Sequence, residues 1–190
     1  MRFEITFDYL CPFARNAAEA VINGLEEGRD WEVTFRPFSL SQVHVDENDP
    51  DVFDDPGTSG ILALHWGLAV RDTQPDVFRA AHLALFGARH DDGSDISDED
   101  VIRAALAAAG VDVDAAAAVV ASGTPAKSLA TEHTESVDRW RVFGVPTFIA
   151  DDVATFIRFM RRGSVADLDR ALSLLDWHHL NEFKRTVVPK

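Results

Sequence analysis

The sequence is poor in cysteine: Cys11 is the only one among 190 residues. A single cysteine excludes an intramolecular disulfide. No run of about 18 apolar residues is present, so we expect no membrane-spanning helix, and the first residues lack the layout of a secretory signal. Lys and Arg total 18 against 32 Asp and Glu, which gives a net charge of −14. Nucleic acids and anionic membranes attract basic surfaces instead. The sequence therefore predicts a cytoplasmic protein that binds neither of them.

The motifs of several common functional sites are also missing. There is no Gly-x-Gly-x-x-Gly or P-loop motif, and the acidic stretch 44–57 lacks the spacing of a calcium-binding EF-hand loop. Seven histidines are present, but none belongs to a known spacing of zinc ligands. We therefore expect no tightly bound cofactor and no functional metal.

Hydrophobic periodicity predicts a chain that contains both strands and helices. Alternating apolar residues are typical of strands, whereas apolar residues three and four apart are typical of helices. The first three elements read strand, helix, strand, which indicates a βαβ unit with parallel strands. The predicted elements are strands at 2–7, 31–38, 147–150 and 154–160, and helices at 13–27, within 58–121, from 124 to about 142 and after Ser164.

The strongest chemical signal surrounds Cys11. The segment Phe7-Asp8-Tyr9-Leu10-Cys11-Pro12-Phe13-Ala14 follows the first predicted strand and opens the first predicted helix. Unpaired N–H groups and the dipole at a helix start favour a thiolate, which lowers the thiol pKa and makes the sulfur nucleophilic. Pro12 suits the first helical position because its missing N–H costs nothing there. The alternative interpretation is a small buried hydrophobic residue, as most free cysteines are.

A second segment, Phe143-Gly144-Val145-Pro146-Thr147-Phe148-Ile149, favours the reactive interpretation of Cys11. Proline is tolerated at the first residue of a strand, and X-Pro bonds are the peptide bonds that can be cis. Together the two segments resemble those of the thioredoxin superfamily. The long helical stretch between them resembles the DsbA branch, which includes FrnE-like proteins, kappa-class glutathione transferases, 2-hydroxychromene-2-carboxylate isomerase relatives and actinobacterial mycothiol-dependent reductases. The tail from Trp177 to Thr186 is similar to that of the actinobacterial members.

This resemblance implies an α/β, thioredoxin-like fold with a large all-helical insertion. It divides the chain into a core of residues 1–40 and 125–190 and an insertion of residues 41–124. It also implies that Cys11 is the catalytic residue and that Pro146 is a cis-proline packed against it. The candidates for binding substrate or thiol are Tyr9, Pro12, Phe13, Val145, Pro146 and Thr147.

Three residues near the thiol have open interpretations. Tyr9 and Phe13 are expected either to line an apolar pocket or to belong to the core, where aromatic residues are common. Asp8 is expected either to raise the pKa of Cys11 or to cap the helix. Residue identities alone do not choose between these roles.

Ala14 is a departure from the family pattern. The redox motif of the family is Cys-x-x-Cys, whose second thiol resolves the mixed disulfide, and alanine lacks that thiol. The sequence therefore predicts a monothiol enzyme that needs an external thiol, mycothiol or glutathione, to release its product. The substrate would be a small-molecule thiol or disulfide or a small electrophile.

Two alternatives stay open. One is a kappa-like glutathione transferase or isomerase, although that branch usually has serine at the position of Cys11. The other is a non-catalytic thioredoxin-fold binding module, which Ala14 supports. The related proteins include monomers and dimers, so both states are expected possibilities.

Overall fold

The computed structural model describes residues 1–46 and 48–188. Glu47, in the acidic stretch 44–57, and residues 189 and 190 of the predicted tail lie outside the described residues. The strands are β1 (Arg2–Phe7), β2 (Glu32–Pro37), β3 (Thr147–Ala150) and β4 (Val153–Phe156), and the helices are α1 (Pro12–Glu26), α2 (Leu40–Val43), α3 (Ile61–Thr73), α4 (Pro75–His90), α5 (Glu99–Ala108), α6 (Val113–Ala121), α7 (Thr124–Trp140) and α8 (Val165–Leu172).

β1 lies in the interior of a mixed sheet with the order β2-β1-β3-β4. β2 runs parallel to β1, which confirms the predicted βαβ unit, and β3 runs antiparallel to β1. Successive side chains of a strand point to opposite faces of its sheet. Since Ile5, Thr6 and Phe7 are each no more than 1% exposed, both faces are covered where β1 ends. The segment that carries Cys11 therefore starts from the most enclosed part of the sheet.

α1 follows this strand end and packs a face rich in small residues into the core. Alanine has no side-chain rotamers to lose, so a helix with an alanine face packs closely at little cost in entropy. The buried residues of α1 are Ala14, Asn16, Ala17, Ala18, Ala20, Val21, Ile22 and Gly24. This packing fixes the helix start, and with it the Cys11 sulfur, relative to β1.

The β3–β4 hairpin turns at Asp151 and Asp152. Their φ angles are 48° and 65°, and a two-residue hairpin turn of type I′ has positive φ at both central residues. Aspartate tolerates this left-handed conformation better than most residues.

The predicted extent of β4, residues 154–160, is wrong at its end. The strand stops at Phe156, although the Ile157 N–H still donates a 3.2 Å hydrogen bond to the Pro146 carbonyl. Beyond this point the side chain of Asn16 on α1 donates a 2.9 Å hydrogen bond to the Phe159 carbonyl. The chain therefore leaves the sheet edge and packs on α1.

α7 also ends earlier than the predicted Val142. Arg141 adopts a left-handed φ of 56°, and the Val142 N–H donates a 3.1 Å hydrogen bond to the Ser136 carbonyl. A left-handed residue with this return hydrogen bond is a common helix ending.

The helices α3 to α6 occupy the predicted insertion. α3 lies so close to the segment before Cys11 that a Cβ atom at Gly67 would be 2.3 Å from the Tyr9 hydroxyl. At the end of α4, the Nε2 atom of His90 lies 2.9 Å from the Tyr9 carbonyl. The insertion helices therefore contact and support the segment between β1 and α1 that carries Cys11. The division into core and insertion stays a prediction. Among the helices that the structure describes, none has the length and apolar character needed to cross a membrane.

Candidate active site

Cys11 is the N-cap residue of α1, and Pro12 occupies the first helical position, as predicted. The Cys11 sulfur accepts a hydrogen bond from the Ala14 N–H at 3.4 Å. This places the sulfur at the open N-terminal end of α1, where N–H groups have no partner within the helix. The residue is 7% exposed, so the thiol lies just beneath the surface.

The second segment meets the first at the sulfur atom. The Cys11 thiol donates a hydrogen bond to the Val145 carbonyl oxygen at 3.4 Å. The Val145–Pro146 peptide bond is cis, as the resemblance implies. The fold thus brings Cys11 and Val145 together across 134 residues of sequence, and Pro12 and Phe13 lie beside them in the first turn of α1.

Thr147 holds the loop that carries Val145. Its N–H donates a 2.9 Å hydrogen bond to the Thr6 hydroxyl, and its own hydroxyl donates a 2.7 Å hydrogen bond to the Gly144 carbonyl. Thr147 is 3% exposed. Its polar groups are therefore engaged within the protein, and it shapes the site rather than offering a hydroxyl to a substrate.

The pKa of Cys11 departs from the expected direction. Burial raises the pKa of the thiol and the charge of Asp8 raises it further, while the N–H groups of Ala14 and Phe13 and the guanidinium of Arg158 lower it. Desolvation disfavours the charged form of any ionisable group. The predicted helix start is present, but it lowers the pKa of Cys11 by less than the loss of hydration raises it. The prediction of a lowered pKa is therefore wrong.

Asp8 performs a double role in the structure. Its carboxylate accepts hydrogen bonds from the N–H groups of Leu10 at 2.9 Å and Leu40 at 2.7 Å. Burial raises the pKa of this carboxyl group to about 6, although both hydrogen bonds act to lower it. Of the two interpretations left open, Asp8 does raise the pKa of Cys11, and it binds the first N–H of α2 rather than capping α1.

Tyr9 belongs to the core. Its side chain is fully buried, and its hydroxyl oxygen is hydrogen-bonded to Nδ1 of His82 at 2.9 Å. Its ring packs edge-on against Phe7 and Phe86, with ring centroids 5.3 and 4.9 Å apart. Of its two interpretations, the core role fits, and the proposed role in lining a ligand pocket does not. His82 is itself fully buried in the core.

Phe13 is half-buried and forms one side of a surface feature that the sequence analysis missed. The guanidinium carbon of Arg158 lies over the Phe13 ring, 5.2 Å from its centroid, and 5.8 Å from the centroid of the Phe156 ring. A signal for this was present in the two successive predicted strands, 147–150 and 154–160. Because Thr147 pairs with Phe156, residues just after Phe156 must lie beside the cis-proline.

The remaining histidines show no metal-binding arrangement. Nε2 of His65, for example, lies 2.7 Å from the Phe53 carbonyl oxygen. Within 1–46 and 48–188, no group of three or more His, Cys, Asp or Glu side chains is placed to hold a metal ion.

A strand that ends at a helix-capping thiol, opposite the residue before a cis-proline, defines a protein of the thioredoxin-fold class. A model of the DSBA-like thioredoxin domain matches residues 3–172, and the chain therefore belongs to this family. This confirms the fold class that the sequence predicts. A sequence search found no match among curated proteins.

Solved structures share the fold at low sequence identity. The cytosolic disulfide reductase DsbM from Pseudomonas aeruginosa, solved with GSH, is 18% identical with a TM-score of 0.66, over 91% of this chain and 98% of that one. A probable DsbA oxidoreductase from Streptomyces coelicolor is 16% identical with a TM-score of 0.66, over 97% and 93%. A 2-hydroxychromene-2-carboxylate isomerase is 15% identical with a TM-score of 0.65, over 92% and 96%.

Proposed function

We propose that this protein is a cytoplasmic, monothiol disulfide reductase in which Cys11 is the nucleophile and an external low-molecular-weight thiol completes each cycle. The observation that carries the proposal is the position of the sulfur. It caps α1 and lies 3.4 Å from the Val145 carbonyl oxygen, and the position three residues on is Ala14 rather than a second cysteine.

The reaction proceeds by two thiol–disulfide exchanges. The Cys11 thiolate attacks one sulfur of a disulfide R–S–S–R′, which forms Cys11–S–S–R and releases R′–S⁻. The thiolate of an external thiol G–SH then attacks the R sulfur, which forms G–S–S–R and releases the Cys11 thiolate. The proton lost from G–SH is taken up by R′–S⁻. The external thiol thus supplies the electrons, and Cys11 returns to its starting state.

The direction of the Cys11 pKa favours a reductase over an oxidase. A DsbA-type oxidase is a strong oxidant because its reduced form is stabilised. Burial has the opposite effect on Cys11, since it destabilises the thiolate and raises the pKa. Below the raised pKa the reduced form of Cys11 is the protonated thiol, so the site lacks the thiolate stabilisation that makes a DsbA-type protein a strong oxidant. The Cys11 thiolate is the more nucleophilic for its higher pKa, but a smaller fraction of the thiol is ionised at neutral pH, so attack is slower there than at higher pH.

The choice of external thiol rests on similarity. DsbM is described as a cytosolic disulfide reductase and was solved with GSH, which supports glutathione. The resemblance of the tail to actinobacterial proteins supports mycothiol. In this proposal the substrate is a small disulfide or mixed disulfide, and the protein acts as a monomer or a homodimer.

Formation and release of a Cys11 adduct test the proposal. The protein is incubated with glutathione disulfide or mycothiol disulfide, the adduct is identified by intact-protein mass spectrometry, and free thiol is then added. We expect one adduct per chain, none on Cys11→Ser, and release at a rate proportional to the added thiol.

The binding-module interpretation is the second candidate, and one observation favours it. Cys11 is 7% exposed, and buried structural cysteines are unreactive. Absence of an adduct with either disulfide, in a folded protein, would reject the reductase and leave this candidate.

A further inference from the structure

We propose that Arg158, seated between Phe13 and Phe156 beside Cys11, binds a carboxylate of the substrate, so that the site selects small anionic thiols and disulfides. This inference rests on the proposed function and adds the substrate class to it. Arg158 combines three properties: it makes no ion pair within the described residues, it stacks on two aromatic rings, and it lies near the thiol.

Arg158 makes no ion pair with any residue in the described part of the chain. Five further arginines of the described residues share this property, but among the six only Arg158 lies over aromatic rings there. Arg162, four residues further along the chain, pairs with Glu19 and with Asp91, each at 2.6 Å. The side chain of Arg158 is instead held by two aromatic rings.

The stacking of Arg158 on Phe13 and Phe156 leaves its N–H donors available to a ligand. Its guanidinium carbon lies over the rings of Phe13 and Phe156 at 5.2 and 5.8 Å. Arginine stacks on aromatic faces through the face of its planar group, while its N–H donors point outward in the plane. That fork of donors matches the two oxygens of a carboxylate. The residue is also exposed, so a ligand can reach it.

The location of Arg158 connects it to the thiol. Phe13 lies two residues after Cys11 in the first turn of α1. On the other side, the Ile157 N–H donates a hydrogen bond to the Pro146 carbonyl at 3.2 Å, which holds the backbone before Arg158 next to the cis-proline. A substrate whose sulfur meets Cys11 therefore has its next polar group within reach of this cation.

An exposed ring extends the same surface. Phe143 is 68% exposed, and its centroid lies 5.1 Å from that of Phe156. Large exposed apolar side chains that are contiguous mark binding surfaces. The surface thus combines an apolar floor with one cation, which suits a small ligand that has both an apolar body and a carboxylate.

Net charge makes the inference testable. A chain with a net charge of −14 repels an anion by its overall field. Any preference of the thiol for an anionic reagent must therefore come from a local positive potential, either that of Arg158 or that of the α1 N-terminus, and substitution of Arg158 separates the two.

The experiment compares two alkylating reagents that differ in charge, iodoacetate and iodoacetamide, on the same thiol. Cys11 is the only cysteine, so the modified protein reports this site alone. The measured quantity is the ratio of the two second-order rate constants. Both reagents attack the same thiolate, so a change in the pKa or exposure of Cys11 cancels in the ratio.

We expect Arg158→Gln to lower the iodoacetate-to-iodoacetamide ratio by about three- to fivefold, the size of one exposed ion pair. Arg158→Lys keeps the charge and should retain part of the preference. Arg79→Gln is the matched control: Arg79 is an exposed residue of α4, the charge change is the same, and the ratio should not move. Added salt should narrow the difference in this ratio between the native protein and Arg158→Gln, because it screens the exposed charge of Arg158.

An unchanged ratio in Arg158→Gln, with Cys11 reactive, would overturn this inference and leave the proposed function standing. An equal fall in Arg79→Gln would overturn it too, because the effect would then belong to net charge. A Cys11 that reacts with neither reagent would reject the proposed function itself.

Discussion

Asp8 and Leu40 are joined by a 2.7 Å hydrogen bond from the Leu40 N–H to the Asp8 carboxylate. This bond ties the end of β1 to the first turn of α2, directly beneath the loop that carries Cys11. The carboxylate is 1% exposed. A buried anion whose partners are N–H groups, without a cation, loses more hydration than the hydrogen bonds return. The raised pKa of Asp8 expresses this balance, and it makes both stability and thiol chemistry depend on pH.

The first prediction concerns the stability of Asp8→Asn. The pKa of Asp8 rises from 3.8 to about 6 on folding, so between these values the folded state binds more protons than the unfolded state. The free energy of unfolding of the native protein should then fall as pH rises from 4 to 6, relative to the variant, by about 2 kcal/mol. Urea unfolding of both proteins at several pH values measures the difference.

The asparagine variant also loses one acceptor for a backbone N–H, which shifts its stability equally at every pH. The titration of the Asp8 carboxyl group is therefore measured by how the difference in free energy of unfolding between the native protein and the variant changes with pH. Native and variant profiles that run parallel between pH 4 and 6 would contradict the assignment of a raised pKa to Asp8.

The second prediction concerns the reactivity of Cys11 with iodoacetamide. Because burial and Asp8 both raise its pKa, the alkylation rate should keep rising through pH 8.5, where an ordinary thiol reaches half of its maximal rate. Asp8→Asn removes one raising charge, so its profile should lie at lower pH. Alkylation is quenched at a series of times and analysed by mass spectrometry to give the rates, with Cys11→Ser as the blank. A native plateau below pH 8 would show that the helix N-terminus outweighs burial.

Periodicity identified most of the elements and the N-cap position of Cys11, because these are local properties, whereas the packing of the Pro146 segment against Cys11 was implied by the resemblance to the DsbA branch. Neither identified the sign of the Cys11 pKa. That sign depends on how much water the folded chain removes from the sulfur, and burial is set by packing from α1 and the loop of Val145 together. Tyr9 shows the same limit: its neighbours along the chain suggest a pocket, whereas its contacts across the chain place it in the core.

Arg158 illustrates a different limit. The predicted strand 154–160 would place Arg158 within a regular edge strand, where alternate residues share one face of the sheet. In the structure the strand ends at Phe156, Asn16 of α1 binds the Phe159 carbonyl, and Arg158 lies over Phe13. The pairing of the two strands indicates that Arg158 lies near the cis-proline, but these contacts with α1 join residues far apart in sequence, and periodicity does not reveal them.

The third prediction compares two helical glycines. A Cβ atom at Gly67 of α3 would lie 2.3 Å from the Tyr9 hydroxyl, whereas one at Gly87 of α4 would meet the Asp91 carboxylate at 3.8 Å. Gly67→Ala should therefore destabilise the protein by about 1–3 kcal/mol through overpacking. Gly87→Ala should stabilise it by about 0.5–1 kcal/mol, because alanine is the better helix former. Thermal or urea unfolding measures both.

Gly67→Ala should also affect the thiol, because Tyr9 lies two residues before Cys11 and anchors its loop. We expect a changed rate of Cys11 alkylation in Gly67→Ala and a native rate in Gly87→Ala. Equal stability of the two variants would mean that α3 and the Tyr9 loop do not pack as closely as described.

The last prediction concerns Ala14→Cys, which restores the two-cysteine motif of the family. Ala14 is 1% exposed, and its N–H already lies 3.4 Å from the Cys11 sulfur, so a thiol added at its Cβ enters the first turn of α1 beside that sulfur. A tethered thiol acts at an effective concentration of about a millimolar or more. The Cys11 adduct of the variant should therefore resolve into an internal disulfide without added thiol.

The measurement is the lifetime of the glutathione adduct as a function of the concentration of free thiol. In the native protein the release rate should rise linearly from zero with added thiol, since Ala14 offers no internal nucleophile. In Ala14→Cys it should have a large intercept that is independent of added thiol. Ala14→Ser is the matched control, because it adds a side-chain atom of similar position without a thiol, and it should behave as the native protein does. A native release rate that ignores the external thiol would remove the reason for calling the enzyme monothiol, since some group other than a second cysteine would then be completing the cycle.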